Sequence, residues 1–146
     1  MKQPGCEQCE AEGGHLVLSN EFLRVVIVDD PDFPGFARVI WHDHVREMSE
    51  LAAADQQRLM KTVFAVESAQ RAVLAPDKVN LASLGNVVPH LHWHVIPRFV
   101  DDSHFPQPIW GTRQREQSKE ALASRRAQLD QLRRRIAEEV ARVARP

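Results

Sequence analysis

Short apolar runs separated by polar residues predict strands in the first part of the chain. Two runs rich in Val, Ile and Leu, at residues 15–18 and 22–28, are separated by three polar residues. Such runs on either side of a polar break are typical of a β-hairpin. Residues 29–35 hold two prolines and a glycine, which do not fit a strand ladder and predict a turn. A third strand is predicted from Phe36 to Trp41.

The spacing of apolar residues changes in the middle of the chain, where residues 55–75 are predicted to form an amphipathic helix. Apolar residues recur there, and just before it, at helical spacings, and charged and amide side chains lie between them. The apolar residues are Leu51, Leu59, Val63, Val66 and Val73. Pro76 ends this helix. Strands are then predicted at 78–84 and 90–98, on either side of a turn. Consecutive strands interrupted by one helix favour an α+β fold, with about five mainly antiparallel strands and one packed central helix.

A long helix is predicted near the C-terminus. Its apolar residues step by three, four or seven positions: Leu122, Leu129, Leu132, Ile136, Val140 and Val143. We therefore divide the chain into a domain at 1–112 and a C-terminal helical extension at 113–146. The apolar stripe is expected to pack on its own domain or on a partner subunit.

Composition and charge narrow the class of protein. The chain has 146 residues, 43% of them hydrophobic and 27% charged, which is typical of one globular domain. Residues 113–146 carry a net charge of +5 and residues 1–112 carry −6, which together give −1. An acidic body does not favour nucleic-acid binding. Neither a membrane-spanning apolar run nor the apolar core of a signal peptide is found, so we expect no membrane partner and a cytoplasmic protein.

The most informative stretch is the alternation from His90 to Val95. A period of two places His90, His92 and His94 on one face of a strand, with Leu91, Trp93 and Val95 on the other. An imidazole can donate, accept, attack as a nucleophile or bind a metal. The residues alone leave two further interpretations open, a half-exposed polar face and a metal-binding strand completed by a ligand from elsewhere.

HLHWHVIPR resembles the signature of the histidine triad (HIT) family of nucleotide hydrolases and transferases. Two longer segments, FPGFARVIWHDHVREMSEL and PDKVNLASLGNVVPHLHWHVIPR, extend the resemblance over roughly residues 6–110. The resemblance implies a HIT-like fold, a homodimer and an enzyme that needs no cofactor. It also implies cleavage of a purine nucleotide at its α-phosphate, with a diadenosine polyphosphate or a nucleoside phosphoramidate as substrate.

The resemblance also implies roles for the histidines. His92 would be the nucleophile and form a covalent nucleotidyl-histidine that water hydrolyses. His94 would donate to the α-phosphate, and His90 would fix the local hydrogen bonds. An attacking imidazole must be neutral, so we expect activity to fall at acidic pH, as a histidine with a pKa near 6.5 takes up a proton.

Substrate-binding residues follow from the same match. Asn80 and Asn86 would supply amide donors to phosphate oxygens, and backbone N–H groups between residues 85 and 88 would add to this cradle. Asp29 or Asp30 would bind the ribose hydroxyls.

Two positions depart from the family pattern. Phe36 stands where family members commonly have a histidine that orients the triad, and Val87 stands where they often have a Ser or Thr that helps protonate the leaving group. His42 and His44 are the candidates to compensate. An alternative is therefore a non-catalytic module that binds a nucleotide in the same pocket.

The two cysteines allow a third interpretation. Cys6 and Cys9 have a C-x-x-C spacing, which in a cytosolic chain favours reduced thiols or a metal site over a disulfide. Some family members hold zinc with such a pair and two histidines, which correspond here to His44 and His90. Our site prediction includes no metal, and a zinc-binding protein using these four residues is kept as an alternative.

Overall fold

The structure is a computed structural model that describes residues 1–144. It contains one five-stranded sheet with the order β1-β2-β3-β5-β4, in which every neighbouring pair is antiparallel. The strands are β1 (His15–Ser19), β2 (Leu23–Ile27), β3 (Ala37–Trp41), β4 (Lys78–Ala82) and β5 (His92–Arg98). The helices are α1 (Glu7–Glu10), α2 (Ala53–Leu74), α3 (Lys119–Arg126) and α4 (Leu129–Val143), with a 3₁₀ turn at Met48–Glu50. The predicted α+β fold is confirmed.

One face of the sheet packs on α2. Val25, Val39 and Val95, from three neighbouring strands, are fully buried in a single apolar cluster with the buried face of α2. The apolar residues that predicted this helix lie in that cluster. Burial of each such side chain contributes about 1.5 to 3 kcal/mol. The opposite face of the sheet is therefore the one that can carry a site.

A buried glutamine of α2 links this helix to β5 and to the turn before β3. The Gln70 side-chain N–H groups donate to the carbonyl of Gly35 at 2.9 Å and to that of Val95 at 2.8 Å. Gly35 has a φ of +88°, and a Cβ there would lie 2.6 Å from Leu74, so this turn requires glycine. The turn that precedes β3 is thus fixed by both its backbone conformation and its contacts with α2.

The start of β5 differs from the prediction. The strand begins at His92, whereas the alternation predicts it from His90. Leu91 donates its N–H to Val45 and accepts from Trp41, and the N–H of His90 bonds to Val88 two residues earlier. His90 therefore lies in a bend before the strand.

The C-terminal segment forms two helices where one long helix is predicted. The helical hydrogen-bond pattern is interrupted at Gln128, whose N–H donates to Arg125 three residues before it. The first helix, α3, buries none of its residues, whereas α4 packs Leu132, Ile136 and Val140 into the same cluster as α2 and the sheet. The part of the apolar stripe that lies on α4 thus packs on its own chain, whereas Leu122 on α3 stays outside the cluster. None of the helices within residues 1–144 is long and apolar enough to cross a membrane.

Truncation after Thr112 is expected to destabilise the protein. It removes three fully or nearly fully buried aliphatic side chains and uncovers the surface of α2 beneath them. Replacing one such residue by alanine costs about 2 to 5 kcal/mol, so the truncated chain should unfold at a clearly lower temperature or precipitate. Thermal unfolding followed by circular dichroism tests this, and an unchanged melting temperature would contradict it.

Candidate functional site

The candidate site lies on the sheet face opposite α2. His92 and His94 project from this face of β5, while Val95 and the residues alternating with it face α2. In the register with β3, His92 is opposite Ile40 and His94 is opposite Arg38. On the other side, His94 is opposite Ala82 of β4. Opposite residues of antiparallel strands project to the same face, so this pairing defines the floor of the site.

Hydrogen bonding fixes the tautomer of His92. Its Nδ1 lies 2.5 Å from the carbonyl oxygen of His90. A carbonyl oxygen only accepts, so Nδ1 carries the proton and Nε2 keeps its lone pair. The hydroxyl of Ser83 donates to the carbonyl of His92 at 2.8 Å and fixes the backbone of the same residue. Nε2 of His92 is the nitrogen available for attack.

Three rings surround the imidazole of His94. The ring centroids of His92, Trp110 and Phe36 lie 4.8, 5.0 and 5.5 Å from that of His94. Phe36, at a position where the family commonly has histidine, thus contacts the triad but offers it no hydrogen bond. Nδ1 of His94 is buried without a partner among the described residues. His94 therefore has an unused polar atom inside the site.

Burial keeps these histidines neutral. Burial lowers the pKa of His92, outweighing the opposing effect of the bond to His90, and the charge of Arg38 lowers it further. Burial, together with His92 and Arg38, lowers the pKa of His94 to about 3. A neutral imidazole is the nucleophilic form, so the acid limb of activity is expected below the pH near 6.5 that the sequence predicts.

The ring of His94 is expected not to titrate between pH 8 and pH 5. Its charged form is unfavourable in this buried position, so it should remain neutral over that interval. Two-dimensional NMR of the histidine rings, assigned with a His94→Asn variant, measures this directly. A midpoint near 6.5 for the resonances of His94 would contradict the burial seen in the structure.

His90 faces a different set of partners. Its Nε2 lies 2.5 Å from the carbonyl oxygen of Trp41, so Nε2 carries the proton. Its Nδ1 is directed at two thiols, 3.4 Å from the Sγ atoms of both Cys6 and Cys9. Nδ1 of His44 lies 3.5 Å from the Sγ of Cys9. The ring of His90 thus belongs to a cysteine and histidine cluster, while its carbonyl oxygen belongs to the triad.

This cluster fits a zinc ion. The four ligand atoms lie within 4.8 Å of one another. Tetrahedral zinc, with bonds of about 2.3 Å to sulfur and about 2.1 Å to nitrogen, places neighbouring N and S atoms about 3.5 Å apart, as found here. The bond from Nε2 of His90 to a backbone carbonyl is the support that metal-binding histidines usually have. Donor types and spacing therefore match a closed structural zinc site.

A buried arginine holds the segment that carries the cysteines. Arg24 of β2 donates to the carbonyls of Gln8, Ala11 and Glu12, at 2.7, 2.8 and 3.0 Å. These carbonyls lie in and just after α1, which contains Cys9. The short N-terminal segment is thereby fixed to the sheet next to the histidines.

The predicted substrate-binding residues are only partly brought together. Asn80 of β4 lies on the site face, opposite Ile96, and its Oδ1 accepts a hydrogen bond of 2.8 Å from Arg98. The remaining Nδ2 is the group it can offer to a phosphate. Asn86 and Asp29 are both exposed on loops. Asp30 is half-buried, and its Oδ1 accepts from the N–H of Asp32.

Val87 lies in the exposed loop between β4 and His90. Its relative exposure is 91%, and an isopropyl group has no proton to donate. The second departure from the family pattern therefore leaves an apolar side chain at the surface of this loop.

Arg98 and Asp102 form a support for the site that the sequence did not predict. Both are 2% exposed and are joined by two hydrogen bonds of 2.8 and 3.1 Å. Burial alone would raise the pKa of Asp102, but bonds from Arg98 and from two backbone N–H groups outweigh it and lower that pKa. Arg98 also donates to the carbonyl of Gln107 at 2.7 Å. The pair connects the end of β5 to the loop that carries Trp110.

Three more residues of the site were not predicted from the sequence. They lie on the site face of the sheet or at its rim, and they are Arg38, Ser83 and Trp110. Arg38 could have been found from the sequence, because it is a charged residue at an alternating position inside an otherwise apolar strand. Ser83 and Trp110 give no such signal, since their contacts with β5 depend on loop geometry.

An antiparallel five-stranded sheet with a central helix packed on one face and alternating histidines on an inner strand is the arrangement of a histidine triad domain. The sequence matches the HIT domain family over residues 11–101, more than half of its length, and the chain belongs to this family. No match was found among curated proteins.

Solved structures of the same family are similar to this chain. A histidine triad protein from Marinobacter aquaeolei VT8 is 30% identical, with 93% of this chain and 98% of that chain covered and a TM-score of 0.71. A histidine triad protein from Bradyrhizobium japonicum has 24% identity, coverage of 88% and 92%, and a TM-score of 0.70. A Zn-bound histidine triad family protein from Mycobacterium smegmatis has 21% identity, coverage of 88% and 95%, and a TM-score of 0.58. The last two show the shared fold.

Proposed function

We propose that this protein is an enzyme that cleaves a purine nucleotide at its α-phosphate through a covalent intermediate on His92. The observation that carries the proposal is the bond from Nδ1 of His92 to the carbonyl of His90, which leaves the Nε2 lone pair free in a neutral ring. An imidazole in this state attacks phosphorus in line with the leaving group. The family to which the chain belongs supports the same reaction.

The reaction has two steps. In the first, Nε2 of His92 forms a bond to the α-phosphorus while the bond from phosphorus to the leaving group breaks and its electron pair goes to that group. A phosphate leaves as an anion, whereas an amine takes up a proton from solvent as it leaves. In the second, water attacks the phosphorus and releases a proton to solvent, while the bond to Nε2 breaks and its electron pair returns to that nitrogen. The nucleoside monophosphate is then released with His92 restored.

Neighbouring groups would bind the substrate and stabilise developing charge. His94 would donate to the phosphoryl oxygens, because one of its ring nitrogens must carry a proton and its Nδ1 has no protein partner among the described residues. Nδ2 of Asn80, the amide of Asn86 and the loop N–H groups at 85–88 would add further donors. Such donors, fixed before the reaction, typically contribute a factor of about 10² to 10³ each. Asp29 or Asp30 would bind the ribose.

Release of AMP tests this function. The protein is incubated separately with a diadenosine polyphosphate and with adenosine phosphoramidate, and AMP is quantified by chromatography. Turnover of either substrate supports the proposal and identifies the leaving group. Binding of the nucleotides without release would instead favour the second candidate, a nucleotide-binding module, for which Phe36 beside His94 and the exposed Val87 are the supporting observations.

Zinc is part of the proposal as a structural ion. Cys6, Cys9, His44 and His90 would hold it, as their donor atoms fit a tetrahedral site. The Mycobacterium smegmatis relative with the same fold is described as Zn-bound. When bound, the ion would cross-link the N-terminal segment to the bend before β5, and the residues of the triad would carry out the chemistry.

The remaining parts of the proposal concern assembly and setting. We place the nucleotide site in residues 1–112 and treat 113–146 as a helical extension. A homodimer is supported by the two edge strands of the sheet, β1 and β4, since an edge strand has unpaired backbone groups, and by the prevalence of two-fold assemblies. A cytoplasmic setting agrees with Cys6 and Cys9 being free thiols.

A further inference from the structure

Arg38 lies directly beside the two histidines of the site. In the register between β3 and β5 it is opposite His94, so the two side chains start from the same face about 4.5 to 5.5 Å apart. Its guanidinium lies over the ring of Phe36, with 5.5 Å between its central carbon and the ring centroid. That ring in turn contacts His94. Arg38 therefore forms part of the floor of the site.

Most of the hydrogen-bond donors of Arg38 are unused. Of the five N–H groups, one is bonded within residues 1–144, from Nη1 to the carbonyl of Gly13 at 3.2 Å. Its Nε is buried without a partner, and the residue forms no ion pair within the described part of the chain. Glu7 and Asp30 act on its charge only at longer range.

Two other arginines on the same sheet face provide a comparison. Arg24 donates to three backbone carbonyls. Arg98 donates to the carboxylate of Asp102, to Asn80 and to a backbone carbonyl. Arg24 thus makes three hydrogen bonds to the protein and Arg98 makes four, whereas Arg38, which is opposite His94, makes one among the residues described.

A half-buried guanidinium without a counter-ion is energetically unfavourable in the free protein. Burial lowers its pKa, yet an arginine keeps its charge throughout the physiological range. The planar fork of N–H groups matches the oxygens of a phosphate, and hydrogen bonds between such charged partners are stronger than neutral ones. An anionic oxygen placed between Arg38 and His94 would remove this cost.

We propose, building on the nucleotide site proposed above, that Arg38 binds a non-bridging oxygen of the phosphate that His92 attacks. It thereby selects nucleoside phosphates over nucleosides and supplies a donor that Phe36 cannot. The guanidinium then pairs with charge on the phosphoryl group.

Calorimetric titration with AMP and with adenosine tests this role. For Arg38→Met, affinity for AMP should fall about 10- to 100-fold, because a hydrogen-bonded charge pair contributes about 1.5 to 3 kcal/mol. Affinity for adenosine should change by less than about 2-fold, since the contact is made to phosphate and not to the nucleoside. Arg38→Lys keeps the charge and should lose less than Arg38→Met.

Arg71→Met is the matched control, because Arg71 is exposed on α2 on the other side of the sheet. It should bind AMP as the wild type does. Unchanged AMP affinity in Arg38→Met, or an equal loss of AMP and adenosine binding, would overturn the role of Arg38. If Arg38→Met shows the expected loss but the wild type releases no AMP from either substrate, the phosphate contact stands and the hydrolase proposal fails. A wild-type protein that does not bind AMP would overturn both.

Discussion

Replacement of His92 by alanine is expected to lower turnover by a factor of about 10⁴ or more, because the variant has no atom that can form the covalent bond. Nucleotide affinity should stay within a few-fold of that of the wild type, since the other contacts to the substrate are made in the ground state as well. Steady-state release of AMP and calorimetric titration with AMP measure the two quantities separately.

Two further histidine variants serve as references for His92→Ala. His94→Ala should lose less activity, a factor of about 10² to 10³, because it removes one donor from a set of several. His15→Ala changes an exposed residue of β1 and should retain wild-type activity. Wild-type turnover by His92→Ala would contradict a nucleophilic role and would favour direct attack by water.

Loss of the cysteine pair is expected to remove zinc and to destabilise the protein strongly. The purified wild type should contain about one zinc per chain, and the double variant Cys6→Ser, Cys9→Ser should contain almost none. A metal present at about 1,000 times its Kd stabilises the folded state by about 4 kcal/mol. This corresponds to a fall in Tm on the order of 10 °C. Plasma emission spectrometry and thermal unfolding measure these outcomes.

The same variant should also lower turnover, because His90 connects the two sites. Its ring faces the thiols, while its carbonyl holds the proton on Nδ1 of His92. Loss of a supporting interaction of this kind typically costs 10- to 100-fold. His42 was a candidate to compensate for Phe36, but its Nε2 lies 2.8 Å from the carbonyl oxygen of Asn20, in the turn between β1 and β2, and it is not part of the four-residue cluster. His42→Asn is therefore the control and should retain zinc and turnover. Wild-type protein free of zinc, with a Tm that does not respond to added zinc, would exclude the metal site.

Local periodicity was sufficient to predict the elements of the sheet and the central helix. The apolar runs of β2 and β3 and the spacing of Leu59, Val63 and Val66 each depend on neighbours along the chain, and the structure buries these apolar side chains. The limit of local patterns appears at His90. The two-residue spacing of His90, His92 and His94 predicts that the strand begins at His90. Pro89 and the backbone hydrogen bonds of Leu91 to Val45 and Trp41 instead place His90 in a bend.

Long-range contacts account for what the sequence could not show. Cys9 contacts His44 and His90, which are 35 and 81 residues away in the sequence. The sequence alone therefore does not show that these residues are close in the structure. The break at Gln128 also follows from packing, since α4 lies along α2 while α3 does not enter the core. Arg38 stands out in the sequence as a charged residue inside an apolar strand, but its place opposite His94 depends on the pairing of β3 with β5, which strand prediction alone does not give.

The most direct test of the account is intact-mass spectrometry of the protein quenched during turnover of adenosine phosphoramidate. A nucleophilic His92 predicts that part of the wild-type protein carries one added adenylyl group, which fragmentation locates on His92. No such species should form with His92→Ala. AMP release by the wild type with no adduct at any quench time, together with equal turnover by His92→Ala, would contradict the covalent mechanism.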